Sequence, residues 1–390
     1  MEKRYFRRSG RRQLVKPPSS ELQNQANFPI SLYFHIPFCT KKCPYCHFYV
    51  VPNKPDFHRL LEKGLELEWG LRKELIRNKP ITSIYFGGGT PTLFGPKPIA
   101  RVLERISFES NPEVTIEANP EEATKELFSE YRQIGINRLS LGVQSLDDRS
   151  LQTLERSHSA KRALEAIFAA AEAGFTNISI DLMYDLPGQT EASFLYTLEQ
   201  IKKLPITHVS LYNLTIEPHT VFYKRREMLK PQIPSSDTSL RLLQHAINTL
   251  EGMGLARYEI SAFGRPSIHN SGYWTGRPFL GFGPSAYSFW GKSRFKNTAN
   301  LQRYVKSLEQ GILPVDFEET LPYPANLKEL LAIQLRLKTG VNIENWDLPK
   351  DTLHTLERLQ QGGFLQQTAS TWQLTDKGML FYDTVAVELI

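Results

Sequence analysis

Residues 31–46 read SLYFHIPFCTKKCPYC. They join a short β-rich run, Leu32–Ile36, to Cys39, Cys43 and Cys46, and these are the only cysteines in a chain of 390 residues. A strand whose C-terminal end opens onto reactive side chains is the unit from which β/α folds build a site. Disulfide chemistry fits poorly, because an odd thiol is left over and the chain far exceeds the small domains that depend on bridges. The chain opens on charged residues, with no secretory signal, and no apolar run reaches the length of a membrane span. A reducing, cytoplasmic compartment is therefore expected.

Outward from this stretch a rhythm appears. Strand-like runs at Leu32–Ile36, Ser83–Phe86, Val114–Glu117, Arg138–Val143, Ile178–Met183 and His208–Leu214 alternate with helical patterns at His58–Arg77, Pro98–Ile106, Thr124–Ile134, Ala160–Ala173 and Ala192–Lys203. Two of the helices run into glycine, Gly135 and Gly174, a usual helix stop. Alternation of this kind predicts βα units around a parallel sheet. Six units are too few for a closed eight-stranded barrel, so the expected class is α/β, a partial (β/α)6 barrel.

Polar or glycine signatures sit at all six strand ends. Cys39 follows the first, Gly87-Gly88-Gly89-Thr90-Pro91 the second, and Glu117-Ala118-Asn119-Pro120 the third. Gln144 follows the fourth, Asp181 lies late in the fifth, and Asn213 and Thr215 end the sixth. In β/α barrels these ends share one face, and that face carries the chemistry.

After Leu214 the rhythm fails. The expected organisation is a basic flexible arm over 1–29, the barrel over 30–245, a loop-rich segment over 246–320 containing SIHNSGYWTGRPFLGFGPSAYSFW, and a small winged-helix-like α+β domain over 321–390. The arm carries a net charge of +5 out of +6 for the whole chain. Basicity is thus a property of the tail, and the body offers no electrostatic case for nucleic acid. The arm reads as solvated; contact with an anionic membrane surface or an acidic partner is the alternative reading, and an organelle transit peptide a further one.

Three thiols within eight residues suggest a metal. Structural zinc needs four protein ligands, so His35 or His47 would have to complete it. A four-iron cluster usually takes four cysteines; with three, one iron keeps a position open to a small molecule.

C-x3-C-x2-C with Tyr45 before the last cysteine resembles the radical S-adenosylmethionine (SAM) superfamily. The wider string YFHIPFCTKKCPYC is similar to one branch, the oxygen-independent coproporphyrinogen III oxidases and their relatives, and the likeness extends from residue 31 to about 385. It implies a [4Fe-4S] cluster on Cys39, Cys43 and Cys46, with SAM on the open iron. It further implies that Tyr33, Tyr45, Gly88, Gly89, Thr90, Glu117, Gln144, Arg156, Asp181 and Thr215 line the SAM pocket, with Glu117 on the ribose hydroxyls and the glycines against the methionine end. Taken singly, GGGTP could be a turn, Arg156 a surface residue, Asp181 a loop cap and Tyr33 a core residue.

Two positions separate the branches. The oxidases carry a further cysteine two residues after the third; here Phe48 stands there. HNSGYW, with His269, Asn270, Tyr273 and Trp274, resembles the H-N-x-x-Y-W signature of the haem-chaperone branch, which implies His269 as a haem ligand. In GFGPSAYS that branch often has histidine where this chain has Tyr287. The resemblance thus implies a haem chaperone that passes haem to an acceptor protein and carries an exchangeable SAM. The alternative is an oxidative decarboxylase acting on coproporphyrinogen III through reductive cleavage of SAM.

Overall fold

The computed structural model describes residues 28–107 and 111–390. The expectation for the basic arm therefore falls almost wholly outside the described residues. Six parallel strands form the heart of the molecule: β1 (Ile30–Ile36), β2 (Ile81–Gly88), β3 (Glu113–Ala118), β4 (Arg138–Gln144), β5 (Ile178–Tyr184) and β6 (His208–Asn213), side by side in chain order. Helices α1 (Pro55–Ile76), α2 (Pro96–Leu103), α3 (Lys125–Gln133), α4 (Ala160–Glu172) and α5 (Glu191–Ile201) connect them.

Strand alternation decides what faces where. On β1, Leu32, Phe34 and Ile36 point outward under the helices, and Phe34 stacks between Phe86 and Phe282 at 5.1 and 5.0 Å. Ile84, Ile116, Leu139, Ile180 and Val209 do the same on the following strands and are all fully buried. The residues out of phase with them are polar: Tyr33 and His35, Tyr85, Thr115 and Glu117, Ser140, Asp181, Ser210. An apolar outer face and a polar inner face on one sheet describe a barrel built to hold something polar.

The stretch 246–320, read from sequence as loop-rich, departs from that reading. Helix α6 (Ser236–Gly252), capped by Ser235, runs into it. Beyond it, strands β7 (Arg257–Glu259), β8 (Ala262–Gly264), β9 (Phe279–Phe282), β10 (Tyr287–Trp290), β11 (Ser293–Asn297) and β12 (Val315–Thr320) extend both edges of the same sheet. The complete order is β12-β11-β10-β9-β1-β2-β3-β4-β5-β6-β8-β7. Strand β9 lies parallel to β1, pairing Tyr33 with Gly281. Between β8 and β9 comes the short helix α7 (Ile268–Trp274), and α8 (Leu301–Glu309) packs on α1.

The C-terminal part has its own core, containing Leu331, Leu335, Leu356, Trp372 and Val385. It comprises α9 (Ala325–Gln334), α10 (Lys350–Gln361), a three-stranded sheet of Val341–Asn342, Leu365–Thr368 and Thr371–Leu374, and a final pair of helices. Among the described residues no helix is long and apolar enough to cross a membrane.

Candidate functional site

The C-terminal strand ends meet at one mouth, and the loop after β1 brings the three cysteines there. That loop is pinned on both sides. Thr90 donates its backbone N–H to the Phe38 carbonyl (2.7 Å), and Phe222 donates to the Pro44 carbonyl (2.9 Å). The glycines of GGGTP are required by this approach. A Cβ on Gly89 would lie 2.5 Å from the Phe38 carbonyl oxygen, and one on Gly88, at φ +114°, 2.5 Å from the His35 ring.

One polar chain ties the thiols to three strand ends. Thr90 Oγ1 lies 3.8 Å from Cys39 Sγ and accepts from Asn119 Nδ2 at 2.7 Å. Arg156 donates to Asn119 Oδ1 at 2.5 Å, to the Gly142 carbonyl at 3.0 Å and to Cys43 Sγ at 3.3 Å. Burial pushes the Cys39 thiol up to about 11, with the Thr90 bond pulling the other way. Such thiols hold their protons in water and release them when a metal cation takes the proton's place on sulfur. Three half-buried thiols with a guanidinium beside one of them suit an anionic metal–sulfide cluster.

A second constellation lies deeper. Glu117 accepts from the Tyr85 hydroxyl at 2.8 Å and from the Gly88 N–H at 3.0 Å. Burial raises its carboxyl to about 7 against these two donors. Burial likewise raises Asp181 to about 6, opposed by hydrogen bonds from Ser210 and Ser140. Tyr33 stacks on Tyr85 at 6.1 Å and meets His35 Nδ1 at 3.0 Å. Two partly desolvated carboxyls facing a polar interior are acceptors suited to ligand hydroxyl or ammonium groups.

The remaining sequence-derived positions divide. Tyr45 joins a small core with Phe222 beside the cysteines, their rings 6.1 Å apart. Gln144 ends β4 at φ +66°, its amide beside Gly142. Thr215 is exposed on the loop after β6. Asn119, His35 and Tyr85 also hold the site together; sequence reading places Asn119 only within a strand-end signature, His35 only as an alternative zinc ligand, and Tyr85 not at all. The signal was available: His35 is in phase with Tyr33 two residues on along β1, and Tyr85 stands opposite Tyr33 on β2.

His269 stands apart from this mouth. It is 1% exposed, at the opposite end of the barrel, and α7 closes the floor there. Its Nδ1 pairs with Ser83 Oγ at 2.9 Å, its Nε2 with the Tyr273 hydroxyl at 2.8 Å, and its ring lies 4.8 Å from Tyr85. Burial and the nearby Arg277 lower its pKa to about 3. As an iron ligand it would have to give up one of these partners and gain access. The helix is held by Glu113, which accepts the backbone N–H groups of Ile268 and His269 at 3.2 and 3.0 Å.

A sheet of parallel strands with a polar interior and three thiols at its mouth defines a class, and sequence comparison agrees on it. The Radical SAM superfamily pattern matches residues 33–201, and the HemN C-terminal domain pattern matches 321–381. The heme chaperone HemW of Haemophilus influenzae is 33% identical, covering 90% of this chain and 96% of that protein. The mitochondrial radical S-adenosyl methionine domain-containing protein 1 of Danio rerio is 32% identical, over 91% and 85%. The crystal structure of Escherichia coli coproporphyrinogen III oxidase, HemN, superposes with a TM-score of 0.82 at 25% identity, covering 96% of this chain and 93% of that one. The chain belongs to the family of radical SAM proteins that contains the heme chaperones HemW.

Proposed function

We propose that this protein is a haem chaperone: it binds haem, passes it to an acceptor protein, and carries a [4Fe-4S] cluster with exchangeable SAM. The observation that carries the choice within the family is Phe48, 52% exposed beside the cysteine loop at the position where an oxidase has a further thiol. The names of its HemW relatives support the same reading.

Cys39, Cys43 and Cys46 would hold the cluster. Arg156 balances its negative charge at Cys43, and Thr90 orients Cys39. Glu117 would accept the ribose hydroxyls of SAM, Asp181 would lie on the same inner wall, and Tyr33, Tyr45, Gln144 and Thr215 would complete the pocket around Gly88 and Gly89. When bound, the pair supplies one-electron chemistry at the open iron. The residues themselves position the cofactor and limit access of water. The acceptor protein follows from the chaperone reading, and a contact of the basic arm with an anionic membrane surface or an acidic partner from its charge; the cytoplasm is the proposed compartment.

The HemN likeness supports a second reading, oxidative decarboxylation of coproporphyrinogen III. One assay separates the two. Anaerobically reconstituted protein is given haem in one arm and coproporphyrinogen III with SAM and a reductant in the other. The chaperone reading expects saturable haem binding and no conversion of coproporphyrinogen III; steady turnover would reverse it.

A further inference from the structure

The inner face of the sheet does not stop at β1. Across β10, β11 and β12 the register places Tyr287 opposite Lys296, and Lys296 opposite Phe317. Tyr287 is 50% exposed and Phe317 42%. Their rings meet edge to face at 6.5 Å, and Lys296 Nζ lies 5.3 Å from the Tyr287 ring. Two residues along β10, Phe289 continues the face and pairs with Phe279, which sits edge-on to Tyr273 at 4.6 Å. An aromatic wall therefore runs from an open row at the sheet edge down to the floor helix. Strand β10 is drawn in tightly: a Cβ on Gly281, the partner of Tyr33, would lie 2.0 Å from the Tyr287 carbonyl oxygen.

We propose that this wall seats haem, with the Tyr287 phenol oxygen as axial ligand to ferric iron and Lys296 beside a propionate. The inference rests on the reading that the chain binds haem, and it names the site. Three strands at about 4.8 Å spacing present a face about 10 Å wide, suited to a flat macrocycle. Phe317 offers its ring for contact with the tetrapyrrole. Lys296 has no carboxylate partner among the described residues, whereas the neighbouring Arg294 is already paired with Glu319 and Glu329. Tyrosine is an established type of haem ligand. On ligation the phenol O–H breaks, its proton passing to water, and the phenolate replaces the water that ferric haem carries, with no change in oxidation state; the lysine cation offsets the phenolate. His269, with both ring nitrogens engaged, leaves this task to the exposed residue.

The test titrates ferric haem into the full chain and reads the Soret band together with resonance Raman bands of an iron-bound phenolate. Wild type is expected to bind saturably and show those bands. Tyr287→Phe should lose them and weaken binding about tenfold. Lys296→Glu should weaken binding several-fold while keeping the bands. His269→Ala should keep them. Wild-type binding with a spectrum unchanged in Tyr287→Phe overturns the ligand assignment while leaving haem binding intact. Absence of saturable binding by wild type overturns the haem reading and this site with it.

Discussion

At the scale of single residues, Glu117 carries the sharpest consequence. Its carboxyl is raised from 4.5 to about 7, chiefly by burial. A raised acid makes the folded state hold more protons than the unfolded chain between these values, so its contribution to stability falls as pH rises through that window. Asp181, raised to about 6, slopes the same way, whereas His35 and His269, lowered by burial to about 4 and about 3, slope oppositely. The clean measurement is a difference. In the cofactor-free protein, Glu117→Gln should become more stable than wild type as pH is raised from 5 to 8, by on the order of 1–3 kcal/mol in chemical denaturation. The same change should weaken SAM binding by about 1.5–3 kcal/mol, because the charge-assisted bonds proposed between Glu117 and the ribose would be lost. A flat difference between pH 5 and 8 would show that this carboxyl is ionised in the fold. Gly89 gives a second residue-scale test. Gly89→Ala should push the Phe38 backbone and Cys39 aside, so that reconstitution recovers far less iron per chain while far-UV circular dichroism stays native.

At the scale of elements, α7 decides how HNSGYW is understood. The motif begins a short helix whose first N–H groups are satisfied by the Glu113 carboxylate, itself 3.9 Å from the buried Arg138. His269 joins this floor to β2 through Ser83 and to its own helix through Tyr273. Its removal leaves a cavity and two partners without their bonds. His269→Ala should therefore cost about 2–4 kcal/mol in the haem-free protein, read by urea denaturation. A haem ligand with no structural duty would cost far less. The same element shows what sequence could reveal. The first six strands and five helices were legible because their apolar residues recur with periods of two and of three to four over long stretches. The inner-face carboxyls Glu117 and Asp181 were legible at the strand ends. Strands β7–β12 were hidden: they are three to six residues long, and β9 finds its partner β1 some 250 positions back in the chain. No local pattern encodes such a pairing. The closed setting of His269 was hidden for the same reason, since Ser83 and Glu113 arrive from distant strands.

Across the whole molecule, the C-terminal part braces the barrel floor, and Arg336 is one of its points of contact. The guanidinium lies 4.2 Å from the Trp274 ring of α7 and 5.0 Å from Tyr382, and donates to Glu259 at 3.2 Å. Glu259 is 4% exposed and its carboxyl is raised by burial, with Arg336 the largest opposing influence. The backbone adds a bond from the Lys338 N–H to the Tyr258 carbonyl at 2.9 Å. Removing the arginine takes away a stacked stem and also leaves a carboxylate in a poorly solvated place. Arg336→Ala should lose about 2–4 kcal/mol at pH 8. The loss should shrink at pH 5, because Glu259 can then accept a proton and its uncompensated charge disappears. Arg336→Met, which keeps the stem over Trp274, should recover part of the packing but retain the pH dependence. Combining Arg336→Met with Glu259→Gln should remove that dependence. If Arg336→Ala costs the same at both pH values, the brace works through packing on Trp274 alone, and the ion pair with Glu259 contributes nothing to holding the C-terminal part against the floor.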